Sequence, residues 1–143
     1  MLLLLPLTLA AAEPGVHGQF IGGTLASIRV KADGHLDLTG GESLVFRAEK
    51  REVRVDYRKV HTLEYGQNVG RRYAAAVIIS PLLLLSKSRK HFVTIGYTDP
   101  AGADQALVLR IEKGDIRGAL ASLEARTGRR IEYLDNEARK GVK

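Results

Sequence analysis

Four histidines, His17, His35, His61 and His91, are the side chains best suited to proton transfer or metal ligation, and their spacing serves neither. They are scattered, with no HxH or HExxH pattern that would bring two imidazoles to one metal. His61 and Asp56 sit on neighbouring strand-like segments and can meet, but an isolated His–Asp pair is more often structural than catalytic. Ser80 stands in Ile-Ser-Pro, without the G-x-S-x-G turn that exposes a nucleophile. Gly66-Gln-Asn-Val-Gly70 lacks the following Lys-Ser/Thr of a phosphate loop. The chain has no cysteine, which removes thiolate catalysis, disulfides and cysteine-based zinc sites. No catalytic, cofactor-binding or metal-binding residues are therefore assigned, and the chain is expected not to be an enzyme.

The sequence speaks more strongly through an apolar run at residues 73–85, framed by Arg71 and Arg72 before it and Lys87, Arg89 and Lys90 after it. No acidic residue occurs between Glu64 and Asp99, so these five cations account for most of the formal net charge of +6. An apolar block between cations suits a membrane interface: each cation near an anionic surface contributes about 1 kcal/mol. Val77, Ile78, Ile79, Leu82, Leu83, Leu84 and Leu85 would enter the acyl boundary. The same pattern suits a segment that packs within the fold or against a second copy, and soluble domains rarely leave so much apolar surface open. Arg71, Arg72, Val77, Ile78, Ile79, Leu82, Leu83, Leu84, Leu85, Lys87, Arg89 and Lys90 are thus the candidate membrane or partner contacts. With Pro81 near its centre, the run falls short of the roughly 20 apolar residues of a span. Nucleic acid is not expected as a partner, because the few aromatics fall at core or strand-face positions instead of forming a stacking platform.

The elements that must position these residues read mostly as short strands. Residues 13–22, with Pro14, Gly15, Gly18 and Gly22, read as a linker. Ala26, Ile28 and Val30 alternate with polar residues and predict a first strand from Gly23, closed by a hairpin turn at Asp33-Gly34. Further strands are expected at residues 35–38, 43–48, 53–57 and 60–65, with a bulge or corner near Arg58-Lys59. Phe92, Thr94 and Gly96 alternate with Val93, Ile95 and Tyr97 in a sixth strand. Asp99-Pro-Ala-Gly102 supplies a turn, and residues 106–111 a seventh strand. The period then becomes helical: Asp115 is the N-cap candidate, Ile116, Ala119, Leu120 and Leu123 form one stripe, and Gly128 is a natural terminator. Residues 131–134 read as a short extended piece, and the charged tail 135–143 as frayed.

Seven short strands followed by one amphipathic helix resemble bacterial pleckstrin-homology-like (PH-like, GRAM-like) barrel domains. The resemblance is carried by residues 90–102, 105–111 and 116–128 and extends over about residues 23–134. It implies a mainly β, α+β fold: a bent, nearly orthogonal pair of antiparallel sheets with the helix plugging one end. The link between the fifth and sixth strands is longer and more apolar here than such domains usually have. A structureless loop of that length is uncommon in a compact domain, so a helical insertion is expected near residues 73–79, ending at Ser80-Pro81. Phosphoinositide binding does not carry over, because the first loop, residues 31–35, holds only Lys31 against Asp33.

Residues 1–12, a leucine-rich stretch ending in Ala10-Ala11-Ala12, read as a secretory signal without a basic leader. The expected organisation is signal peptide 1–12, linker 13–22, barrel 23–134 and tail 135–143, in a protein outside the cytoplasm, periplasmic or secreted, with or without membrane association. The expected function is a non-enzymatic binding or scaffolding module acting on a protein partner or an anionic envelope surface. The alternatives are a peripheral membrane-binding domain using residues 71–90 and a barrel that holds a small ligand. No cofactor is expected, and the apolar insertion offers a route to a homo-oligomer.

Overall fold

Eight strands form one sheet in a computed structural model that describes residues 15–24, 27–67 and 90–141. The strands are β1 (Val16–Gly23), β2 (Asp33–Asp37), β3 (Ser43–Ala48), β4 (Arg51–Asp56), β5 (Val60–Gly66), β6 (Phe92–Thr98), β7 (Asp104–Ile111) and β8 (Ile131–Tyr133). Two helices, α1 (Lys113–Thr127) and α2 (Asn136–Gly141), flank β8. The strand order is β4-β3-β2-β1-β7-β6-β5-β8. All pairings are antiparallel except β5 with β8.

The connection between β4 and β5 forces the sheet to curl. Only a single 3-10 turn, Tyr57–Lys59, joins them, yet they stand six strand intervals apart in the order. Laid flat, six intervals would span about 29 Å, whereas the connecting residues reach about 14 Å. The sheet therefore wraps round its core. The ladder does not close into a barrel: β4 and β8 are its edges among the described residues. The expected barrel is thus an open, curled eight-stranded sheet.

The concave face holds a continuous apolar core. Phe20, Leu36, Leu44, Phe46, Val53, Val55, Leu63, Val93, Ile95, Leu107, Leu109 and Ile111 meet the buried stripe of α1, Ile116, Ala119, Leu120 and Leu123. That stripe is the one expected from the helical period, and Gly128 ends the helix at φ 69°, with its N–H donating to the Glu124 carbonyl. Asp115 is not the N-cap. Glu112 occupies that position without a side-chain cap, and Asp115 lies in the first turn, where its charge suits the positive helix end.

Two expectations at the N-terminal side are corrected. Residues 16–22, expected within the linker, belong to β1 at the middle of the sheet, and residues 27–31, expected within the first strand, lie in the loop between β1 and β2. β1 shows no period of two because neighbouring residues on it are both buried: Phe20 belongs to the core, and Ile21, at a shift in the pairing with β7, is fully buried outside it. The apolar alternation at Ile28 instead serves the loop, which folds back so that Ile28 and Ala32 join the core. Lys31 takes the turn's left-handed position at φ 70°. The turn expected at Asp33-Gly34 is displaced: both residues lie in β2, where a Cβ on Gly34 would overlap the Arg47 carbonyl oxygen of β3.

The tail is also more ordered than expected. Asp135 accepts the Gln67 N–H at 2.8 Å, and α2 follows. The expected signal segment 1–12 and the helix expected near residues 73–79 lie outside the described residues.

Candidate functional site

A surface groove of about 380 Å³ runs between α1 and the β1–β2 edge of the core. Val16, Leu36 and Leu38 supply its apolar floor. Gly114, Gly118 and Ser122 follow one another at every fourth position, so they share one helix face and form a low wall. A Cβ added at Gly114 or Gly118 would meet nothing within 4 Å, so the space above the helix backbone is open.

The groove's polar end is built rigidly. Arg126 donates to the Gly40 carbonyl at 2.9 Å, and its guanidinium lies 5.8 Å from the centre of the Tyr57 ring. Asp37 accepts from the Thr39 hydroxyl at 2.6 Å and the Thr39 N–H at 2.9 Å, fixing the turn beside it. Those bonds, with Arg47 adding to them, hold the Asp37 carboxyl below the usual carboxylate range. Tyr57 is buried, and desolvation pushes its hydroxyl pKa up. Its hydroxyl has no hydrogen-bond partner among the described residues.

A smaller hollow of about 190 Å³ marks the seam where the curled sheet brings the end of β4 toward the β6–β7 turn. Val55, Tyr97 and Pro100 give it apolar walls, with Arg54, Asp56 and Lys59 at its mouth. Asp56 is held below its ordinary pKa by the Arg58 guanidinium and N–H, so its charge is already engaged.

Of the predicted contact residues, only Lys90 is described; it stands half-buried just before β6. Arg71, Arg72, Val77, Ile78, Ile79, Leu82, Leu83, Leu84, Leu85, Lys87 and Arg89 lie outside the described residues. The root of that segment is well defined. Gly66 pairs with Phe92, so the chain leaves and re-enters the sheet at adjacent positions. The Tyr65 hydroxyl and His91 Nδ1 are 2.6 Å apart, their rings are stacked, and Tyr133 packs edge-on against Tyr65. Burial, reinforced by Lys113, lowers the His91 pKa, while burial raises that of Tyr65. The hydrogen-bond distance and the stacked rings tie the residue before β6 to the end of β5, which makes the pair a structural clasp at the segment's base.

The predicted His61–Asp56 meeting does not occur: His61 lies 3.3 Å from Asp104, and Asp56 bonds Arg58. His17 and His35 pack edge-to-face with His17 3.6 Å from Asp33, yet among the described residues no three His, Asp or Glu side chains gather as a metal set. The Tyr65–His91 clasp and the groove were both missed by motif reading. The small-residue spacing Gly114-Gly118-Ser122 was the one available signal for the groove. No family model and no curated protein matches this chain.

Proposed function

We propose that this chain is a non-enzymatic, PH-like binding module that works outside the cytoplasm through contact with a protein partner or the cell envelope. The observation that carries this reading is the strand path. Four strands in sequence, β1 to β4, and three more, β5 to β7, share one curled sheet in the order β4-β3-β2-β1-β7-β6-β5, with α1 seated on the core. That order supports the resemblance to PH-like domains. The apolar filling of the concave face argues against a ligand held inside the sheet and supports a reading in which the working parts are on the surface. The leucine-rich residues 1–12 support export.

Site-specific photo-cross-linking in the producing cell tests the reading. Probes at Ser122, Lys59, Lys50 and Lys90 sample the groove, the seam, the β3–β4 turn and the segment root. Adducts to a polypeptide or envelope component concentrated at one of these sites are expected. Adducts spread evenly over all four, or absent from all, would count against a binding module.

A second reading, peripheral membrane binding through residues 71–90, is supported by the five cations and by the pairing of Gly66 with Phe92, which holds both ends of the segment at one pole. No helix among the described residues is long and apolar enough to cross a membrane. Co-sedimentation with anionic vesicles that weakens in salt, and fails for the Arg71→Glu, Arg72→Glu double variant, is the expected result of that reading. Binding indifferent to salt and to both substitutions would sink it.

A further inference from the structure

The outward face of β1 and β2 sets two imidazoles side by side. In the antiparallel register His17 of β1 stands directly opposite His35 of β2, and Gln19 opposite Asp33. These residues share the face turned away from the core, since Phe20 and Leu36, on the other face, belong to it. The His17 and His35 ring centres lie 5.7 Å apart, with an angle of 74° between the ring planes. Asp33 Oδ1 stands 3.6 Å from His17 Nε2 and 3.5 Å from the Gln19 amide nitrogen. The His17 and Asp33 side chains are 46% and 68% exposed, so an ion can reach them from solvent.

These spacings differ from those of a hydrogen-bonded pair. A separation of 3.6 Å between His17 and Asp33 is too long for such a bond. It is close to the nitrogen–oxygen edge of a metal tetrahedron, about 3.4 Å when the metal–ligand bonds are about 2.0–2.1 Å. Two imidazoles on one such ion hold their ring centres about 5 Å apart. No three-donor set is preformed among the described residues. The His17–His35 gap exceeds the ligating one by less than about 1 Å, and both rings stand on the sheet's outer side, where a small shift disturbs no core packing.

We propose that His17, His35 and Asp33 form a surface site for a divalent ion of the zinc or copper class, drawn together by the ion across the β1–β2 pair. Two imidazole nitrogens and one carboxylate oxygen suit these ions, with water in the remaining position. Magnesium and calcium call for oxygen donors instead. The neighbouring cations do not oppose the charge. Arg47, opposite His35 on β3, lies 3.4 Å from Asp37 and 3.1 Å from Glu52. Arg110, opposite Gln19 on β7, lies 3.5 Å from Glu112.

The remaining histidines supply internal comparisons. His61 also has a carboxylate beside it, Asp104 at 3.3 Å, but its other contact is the Thr62 hydroxyl at 2.9 Å instead of an imidazole. His91 is tied to Tyr65. The site escapes a motif search because strand register, and not local spacing, brings its donors together. It stands apart from either functional reading, since both leave this face of the sheet unassigned.

Titration calorimetry of zinc chloride into the full chain, near neutral pH in a non-chelating buffer, tests the site. One zinc per chain is expected, with affinity reduced at least about tenfold by His17→Gln and by His35→Gln, a loss no smaller than that from removing an outer-shell partner. Asp33→Asn should weaken binding less, His61→Gln should leave it unchanged, and excess magnesium should not compete. Absence of zinc binding overturns the proposal. So does binding that survives both His17→Gln and His35→Gln, binding lost equally with His61→Gln, or displacement by magnesium, which would reduce the effect to attraction by carboxylates.

A second measurement needs no variant. The four histidines give four sets of imidazole resonances in the unaltered chain. Zinc is expected to shift those of His17 and His35 and leave those of His61 and His91 in place. Shifts spread over all four, or absent from the first two, overturn the proposal whatever the calorimetry gives.

Discussion

At the scale of single residues, the Tyr65–His91 clasp has a pH signature. The folded pKa of His91 is lowered from 6.5 by burial, so the unfolded chain binds the proton more readily. The stability this contributes is fully present above the unfolded value and is lost as pH falls through the folded one. His91→Gln should therefore flatten the loss of urea stability on going from about pH 7 to about pH 5. Asp37, Asp56 and Asp99 follow the same sign at lower pH, since hydrogen bonds in their turns depress all three. In the core, Leu123 is fully buried where α1 meets the sheet. Leu123→Ala should cost about 2–5 kcal/mol in denaturant titrations, the range for a leucine truncated in a packed interior.

At the scale of elements, two glycines, one capping α1 and one inside it, give opposite predictions. Gly128 closes the helix in the left-handed region, with room for a side chain but a backbone that alanine resists. Gly128→Ala should destabilise by about 1 kcal/mol. Gly118 is an exposed mid-helix residue with nothing within 4 Å of an added Cβ. Gly118→Ala should raise stability by up to about 1 kcal/mol, measured as a higher denaturant midpoint. A glycine kept at that helix position leaves the groove wall low, and the same variant asks whether partner adducts at Ser122 depend on it.

These elements also show what a sequence carries. β3, β4, β5 and β6, the β6–β7 turn and the α1 stripe were all readable, because each is specified by neighbours within a few residues. In the turn, Asp99 accepts the Ala103 N–H at 2.9 Å and Gly102 stands at φ 85°, as its residue types predict. β1 was not readable: its partners, β2 and β7, are distant in sequence, and burial on both faces erased the period of two. β8 is set by α1, through the Glu124 carboxylate that accepts the Ile131 N–H at 2.8 Å.

At the scale of the whole molecule, the curl ties both halves of the sheet to one interior. Leu36 and Phe46 from one half and Ile95 and Leu109 from the other sit in the same core with α1. Unfolding should accordingly be a single transition. Fluorescent probes at Lys50, on the β3–β4 turn, and at Ala101, on the β6–β7 turn, should report coincident midpoints; separated midpoints would mean that the halves fold independently.

The sequence by itself determined the composition of the elements, the lack of thiol chemistry, the helix stripe and the cation-framed apolar run, all of which are local patterns. Tertiary structure alone decided the order of the strands, the central place of β1 and the groove beside α1. The reason is range. Alternation and capping act over a few residues, whereas strand order and a groove between helix and sheet depend on which distant segments come to lie together.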